Sequence, residues 1–126
     1  FFVFDGSVAS ELKCDVHDLV FNNISNSQIS KAFAVHNSQH SEIWWFYTSE
    51  NSTENDRYVT YDYKEQHWAV GELDRTAGVD SGIFDFPIWA DAGGDLYNHE
   101  YGLDHDFIRM TQKLFMDHLL WLTLQQ

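Results

Sequence analysis

Cysteine, proline and positive charge are all scarce in this chain. Cys14 is the single cysteine, so no intrachain disulfide can form, and the cysteine spacing of a zinc site is absent. Only seven Lys and Arg stand against 20 Asp and Glu, giving a net charge of −13. A surface that grips nucleic acid needs a Lys/Arg footprint to displace counterions, and docking on an anionic membrane needs the same sign of charge. Neither fits. No uninterrupted apolar run reaches bilayer length, and no basic stretch leading into an apolar one marks a signal peptide. A Gly-rich phosphate loop and a Gly-x-Ser-x-Gly elbow are also missing.

What the chain has is aromatic residues. They make up 17% of its 126 residues, within a hydrophobic share of 44%. That suits one domain with a core of ordinary size. Large rings fill the half-buried faces of sheets, so the composition points to an all-β fold. The opening run Phe1-Phe2-Val3-Phe4 reads as a strand entered in mid-fold, which makes the chain an expected segment of a longer protein.

Periodicity and turn residues divide the chain as follows. Asp5-Gly6-Ser7 is a hairpin turn between Phe1–Phe4 and Val8–Leu12. A short helix is expected near residues 15–21, with Asp15 as its cap and Val16, Leu19 and Val20 on one face. Asn22–Ser30 is polar turn material. Strands are expected at Lys31–Asn37, Glu42–Tyr47, Arg57–Tyr63 and His67–Leu73. The second of these is apolar on both faces and therefore central, and the last three form one antiparallel meander. Arg75–Asp80 reads as connecting chain. Gly82–Ala90 reads as a strand bent or placed at an edge by Pro87, and Asp95–Tyr101 as the last strand. Phe4-Asp5, Tyr61-Asp62 and Tyr97-Asn98 end aromatic strands at intervals averaging about 45 residues, near the length of a propeller blade. Residues 107–126 switch to helical periodicity, with Ile108, Leu114, Phe115, Leu119, Leu120 and Leu122. They are expected to be an appended, loosely packed amphipathic helix beside a β-segment spanning residues 1–106.

Catalytic, cofactor-binding and metal-ligating residues are expected to be absent. His36 and His40 are four apart but sit on a strand end and a turn, which breaks the helical logic of a shared metal. Asp95, His99, Glu100, Asp104, His105 and Asp106 read as a solvated acidic loop without the fixed ligand spacing of a cation site. Glu72 with Asp74, and Asp80 with Asp85, are the chance carboxylate neighbours of an acidic chain, and glycoside chemistry needs a spatial separation that sequence does not give. Exposed tryptophans would make Trp44, Trp45, Trp68 and Trp89 a sugar platform. Adjacent strand residues face opposite ways, however, so Trp44 and Trp45 cannot share one.

Several short motifs follow one another in order: Glu42–Tyr47, Ser52–Val59, Tyr61-Asp62-Tyr63, His67–Gly71, Arg75-Thr76-Ala77 and Asp95–Gly102. In this order they resemble the β-propeller part of the tail nozzle, or tubular tail, proteins of podovirus-like bacteriophages. Packaged-DNA stabilisation proteins are similar. Phe1–Phe21 fits the same pattern. Gly78 departs from it, standing where a large aromatic residue is usual, and the match ends after Asp106. The resemblance implies a partial β-propeller of about two antiparallel blades and a structural, non-enzymatic role in the virion. It also implies a homo-oligomeric ring next to other tail or portal proteins, with DNA passing through without being held and no cofactor. The alternative from the residues is a carbohydrate-binding or glycan-processing β-propeller module.

Overall fold

Short strands and tight, carboxylate-clasped turns dominate the computed structural model, which describes residues 1–100 and the backbone pairing of Arg109–Met110. A hairpin of β1 (Phe2–Phe4) and β2 (Ala9–Glu11) leads into helix α1 (His17–Phe21) and a 3-10 helix over Asn26–Lys31. One four-stranded antiparallel sheet follows, with β3 (Phe33–Asn37), β4 (Glu42–Tyr47), β5 (Arg57–Asp62) and β6 (His67–Glu72) side by side in chain order. A second such sheet holds β7 (Ala77–Val79), β8 (Ile88–Ala90), β9 (Leu96–Asn98) and β10 (Arg109–Met110). The chain is mainly β, as its aromatic content foretells.

The turns explain the hairpins. Asp5 Oδ1 accepts from Ser7 N at 2.9 Å and Val8 N at 2.8 Å, and Gly6 takes φ +99°. Asp62 Oδ1 repeats the device, accepting from Lys64 N at 2.9 Å and Glu65 N at 2.8 Å. A carboxylate that bonds the backbone two and three residues on closes a turn without help from the ladder. From Asp62 the register of β5 and β6 runs unbroken, Asp62 opposite His67 through to Arg57 opposite Glu72. The expected meander of β4, β5 and β6 is present, and β4 is central, between β3 and β5.

Alternation along the first sheet builds two cores, one on each face. Tyr47 and Val59 face Val20 of α1, with Phe1, Val16, Ile24, Trp45 and Trp68 packed around them. Val35 and Phe46 face Trp89 of the second sheet, with Phe33, Trp44, Tyr58 and Leu73 around them. Phe46 and Trp89 are both 0% exposed. Burying a side chain of this size is worth about 1.5–3 kcal/mol, so the contact between sheets is a main anchor of the fold. The two sheets approach most closely along their first strands, β3 and β7.

Several expectations shift. β7 lies in what reads as connecting chain, because a three-residue strand centred on glycine carries no alternation. Phe84 and Phe86 are not in a strand. β8 begins only after Pro87, which has no N–H for a ladder, while the Pro87 carbonyl accepts from His99 N at 2.8 Å. Helix α1 starts at His17 without a side-chain cap, so Asp15 does not cap it, and Leu19 is exposed. One and a half turns bury a single residue, Val20. Arg109–Met110 pair with Tyr97 and Leu96 as a strand, in place of the helix expected across residues 107–126. The open edge of β9 supplies hydrogen-bonding groups that outrank local periodicity. The rest of that helix lies outside the described residues.

Candidate functional site

The groups singled out from sequence are placed by the turns and the two sheet faces. Trp44 and Trp89 meet edge to face at 5.0 Å between the sheets. Trp45 and Trp68 stack at 5.9 Å on the opposite face, where Phe1 lies 5.0 and 4.8 Å from them. The four indoles are divided between two cores, and no common platform forms. Tyr61 packs on Trp68 at 4.6 Å beside a cavity of about 310 Å³ lined by Leu12, Lys13, Asp15, Tyr61, Gln66 and Trp68.

The histidines separate in the same way. His36 turns to Asp80, Nδ1 to Oδ2 at 3.5 Å, and to the Tyr63 hydroxyl at 3.2 Å. His40 turns to Glu100, Nε2 to Oε2 at 3.3 Å. Each therefore serves a different carboxylate. Among the described residues no group of three or more His, Cys, Asp or Glu is arranged around a common point. Asp104, His105 and Asp106 lie outside those residues.

Of the acidic pairs, Glu72 goes to Arg57 and Asp74 to the guanidinium of Arg75 at 3.4 Å. Asp80 accepts from Ser38 N at 3.2 Å and Ser81 N at 2.7 Å, while Asp85 offers its backbone carbonyl to Gln39 Nε2 at 2.7 Å. Neither pair converges on a shared space. Of the four, Asp80 fastens backbone, while Glu72 and Asp74 hold guanidinium groups.

The acidic run after β9 reads in sequence as a solvated loop, but its described part is a buried cluster, because the stacking of the sheets encloses it. His99 is 3% exposed and lies flat on Trp89, ring centroids 3.5 Å apart. Its Nε2 is 3.0 Å from Glu100 Oε1, which also accepts from Asn37 Nδ2 at 3.3 Å. Glu100 thus joins β9 to the end of β3 and to His40 on the following turn, from a backbone at φ +67°. The hydrogen bond from His99 holds its carboxyl below the ordinary glutamate range, against the opposing effect of burial. The only sequence signal is the Asn98-His99-Glu100 run at the end of an aromatic strand, and its partners are more than 55 residues away, roughly the span of a whole small domain.

Three of the described cations are committed. Lys31 bonds Glu54 at 2.6 Å, Arg57 pairs with Glu72, and Arg75 is 3% exposed with its guanidinium 4.2 Å over the Tyr97 ring. Lys13 and Lys64 stand on exposed turns. Across the sequence 20 Asp and Glu stand against seven Lys and Arg, which offers little to a phosphate. No helix among the described residues is long and apolar enough to cross a membrane. Comparison with known proteins adds no lineage: no family model matches the chain, and no curated protein matches it.

Proposed function

We propose that the chain is a stretch of about two β-propeller blades from the wall of a phage tail tube, a virion component through which DNA passes without being held. One observation carries the reading. Two four-stranded antiparallel meanders follow in chain order, pack face to face through rings, and come closest along their first strands. Propeller blades have this relation, with first strands converging near an axis and later strands fanning outward. The order of motifs from Glu42 to Gly102 supports the same reading, and so does the acidic surface, which repels phosphates. The work would be mechanical, and the aromatic contact between sheets stiffens such a wall.

The test is location. An antibody raised against the purified chain, gold-labelled and applied to phage particles made by cells carrying its gene, is expected to mark tails. Label on capsids, or on no particle, overturns the proposal.

A second reading, a saccharide-binding module, has one observation in its favour: the cavity where Tyr61 and Trp68 meet Lys13, Asp15 and Gln66. An aromatic wall with polar groups beside it suits a sugar ring. Binding on a glycan array that Trp68→Ala abolishes would move the assignment there.

A further inference from the structure

We propose that the open edge of β6 is a docking site for an extended, basic segment of another protein, which adds to the first sheet as a fifth strand. The inference stands on this edge alone and does not depend on the tail reading.

The ladder defines the edge. β6 ends the sheet, with β5 as its one neighbour among the described strands. Tyr63 N bonds Ser41 O, and Leu73 N bonds Asp56 O. Antiparallel strands bond through every second residue, so odd-numbered residues of β5 serve β4 and even-numbered ones serve β6. In the same register β6 bonds β5 through His67, Ala69 and Gly71. Trp68, Val70 and Glu72 then turn their N–H and C=O groups away from the sheet, and no described residue bonds them. Natural edges are usually blunted by Lys, Pro or a bulge. β6 has none of these: its pairing with β5 is unbroken from His67 to Glu72, and residues 68–71 are uncharged.

Side chains supply a matching row. Trp68 lies opposite Tyr61, Val70 opposite Val59 and Glu72 opposite Arg57. Val59 and Trp68 belong to the core on the α1 side, so the three residues with outward backbone groups also face α1. One end of this row meets the cavity of about 310 Å³ beside Tyr61 and Trp68. The other meets a cavity of about 470 Å³, where Leu19 of α1 stands over Tyr47, Arg57, Val70 and Glu72. Leu19 is 65% and Val70 39% exposed, and the cavity between them gives both a use. A strand laid along β6 sets alternate side chains about 6.7 Å apart on the α1 face, over Glu72, Val70 and Trp68 in turn. In strand addition the backbone bonds give affinity and such side pockets give selectivity.

Three features select the occupant. The row of backbone groups requires an extended chain, since a helix satisfies its own groups and a saccharide uses one cavity alone. The cavities require side chains at two-residue spacing: an aliphatic one between Val70 and Leu19, and a tyrosine with its ring on Trp68 and its hydroxyl toward Lys13, Asp15 and Gln66. Charge requires a cation at the end where the side chains of Glu72 and Asp74 are 73% and 67% exposed. A second copy pairing edge to edge would instead bring together two chains of net charge −13. Antiparallel pairing is the more stable per residue, so the segment reads Lys-x-Leu-x-Tyr in its own direction.

The test uses the purified chain and a fluorescein-labelled peptide, acetyl-Thr-Lys-Thr-Leu-Thr-Tyr-Thr-amide, read by fluorescence anisotropy. Binding is expected with a Kd of roughly 0.1 mM or below, weakening as salt rises from about 0.05 to about 0.5 M. Methylating the peptide nitrogen of Leu, which meets the Val70 carbonyl, is expected to weaken binding about tenfold or more. Methylating the nitrogen of the Thr before it, which points away from β6, is expected to change binding less than about twofold. Val70→Pro removes only an outward N–H, which an edge strand tolerates, and is expected to abolish binding. Should that variant fail to fold by circular dichroism, the two methylated peptides still decide. Amide exchange by nuclear magnetic resonance is expected to be fast at Val70 and Glu72 in the chain alone and slowed by the peptide. A peptide that does not bind at about 1 mM overturns the proposal. So does an equal loss from both methylations, which indicates side-chain docking without a strand, or binding that strengthens with salt. Slow exchange at Val70 and Glu72 in the chain alone also overturns it: the edge is then taken by residues 111–126 if concentration has no effect, and by a second copy if protection grows with concentration. Phage tails that take no gold label remove the tail reading and leave this site standing.

Discussion

At Gly78 a single methyl group is too much. A Cβ built there lies 2.8 Å from Trp89 Cδ1, in an indole that is fully buried and wedged between Phe46, Trp44 and His99. Gly71 is tighter still, its Cβ meeting the hydroxyl end of the Tyr58 ring, but Tyr58 is only partly buried and can tilt outward where Trp89 is enclosed on all sides. The prediction is an asymmetry. Gly78→Ala is expected to lower unfolding free energy by about 1–3 kcal/mol, the usual range for overpacking, and Gly71→Ala by clearly less, both read from urea denaturation. Trp89→Ala removes the anchor outright and is expected to cost about 3–5 kcal/mol, a large part of the stability of a small domain. With no side chain at Gly78, the Trp89 indole on the neighbouring strand fills the space.

Turns are the elements most sensitive to pH. Hydrogen bonds from the backbone of Val8 and Ser7 lower the Asp5 carboxyl, and those of Glu65 and Lys64 lower Asp62. At Asp56, Asp80 and Asp91 burial pushes upward, but hydrogen bonds from Ser49 and Ser52, from Ser38 and Ser81, and from Asp95 and Tyr97 win, so these too are lowered. With Glu100, six carboxyls therefore bind protons less tightly folded than unfolded. Their stabilising contribution is in place above the unfolded values of roughly 4 and is lost as pH falls through the lower folded ones. The midpoint of urea unfolding is expected to be level between pH 7 and about 5 and to fall below about 4. Protonation also relieves the −13 self-repulsion, and a midpoint that rises on acidification would show that repulsion is the larger effect. Asp56 accepts three short hydrogen bonds, from Ser49 N, Ser49 Oγ and Ser52 Oγ at 2.7–2.8 Å. Asp56→Ala is expected to cost about 1–3 kcal/mol near neutral pH, and Asp56→Asn to flatten the acid limb of the curve.

Such turns are also where the sequence was most readable. Asp5-Gly6 and the β4–β5–β6 meander follow from local residue order, since Asx turns and period-two alternation are short-range signals. Strand β7 did not follow, because Ala77-Gly78-Val79 shows its purpose only once Trp89 lies across it. The Glu100 junction was invisible for the same reason: Asn37, His40 and His99 are drawn together by the stacking of the sheets, not by spacing. The absence of a shared tryptophan platform was legible, because alternation alone sends Trp44 and Trp45 to different faces.

For the whole molecule, charge decides what it will leave alone. With Lys31, Arg57 and Arg75 engaged in internal pairs or buried, few phosphates can be neutralised, so the counterion-release contribution to binding is small. Fluorescence anisotropy with labelled duplex DNA at 0.15 M salt is expected to show no binding at micromolar protein. Micromolar affinity with a steep salt dependence would contradict both the charge argument and the picture of a passive channel.

The division of the indoles between two faces gives the protein a built-in optical label. Near-ultraviolet circular dichroism arises from fixed neighbouring rings, and the described residues hold two separate indole pairs: Trp45 against Trp68 beneath the hairpin, and Trp44 against Trp89 between the sheets. Each pair rotates light only while its own packing is intact. Trp68→Phe should erase one band and Trp44→Phe the other. In the unsubstituted chain, heating would then show whether the hairpin lifts away before the sheets part or all the layers come apart together.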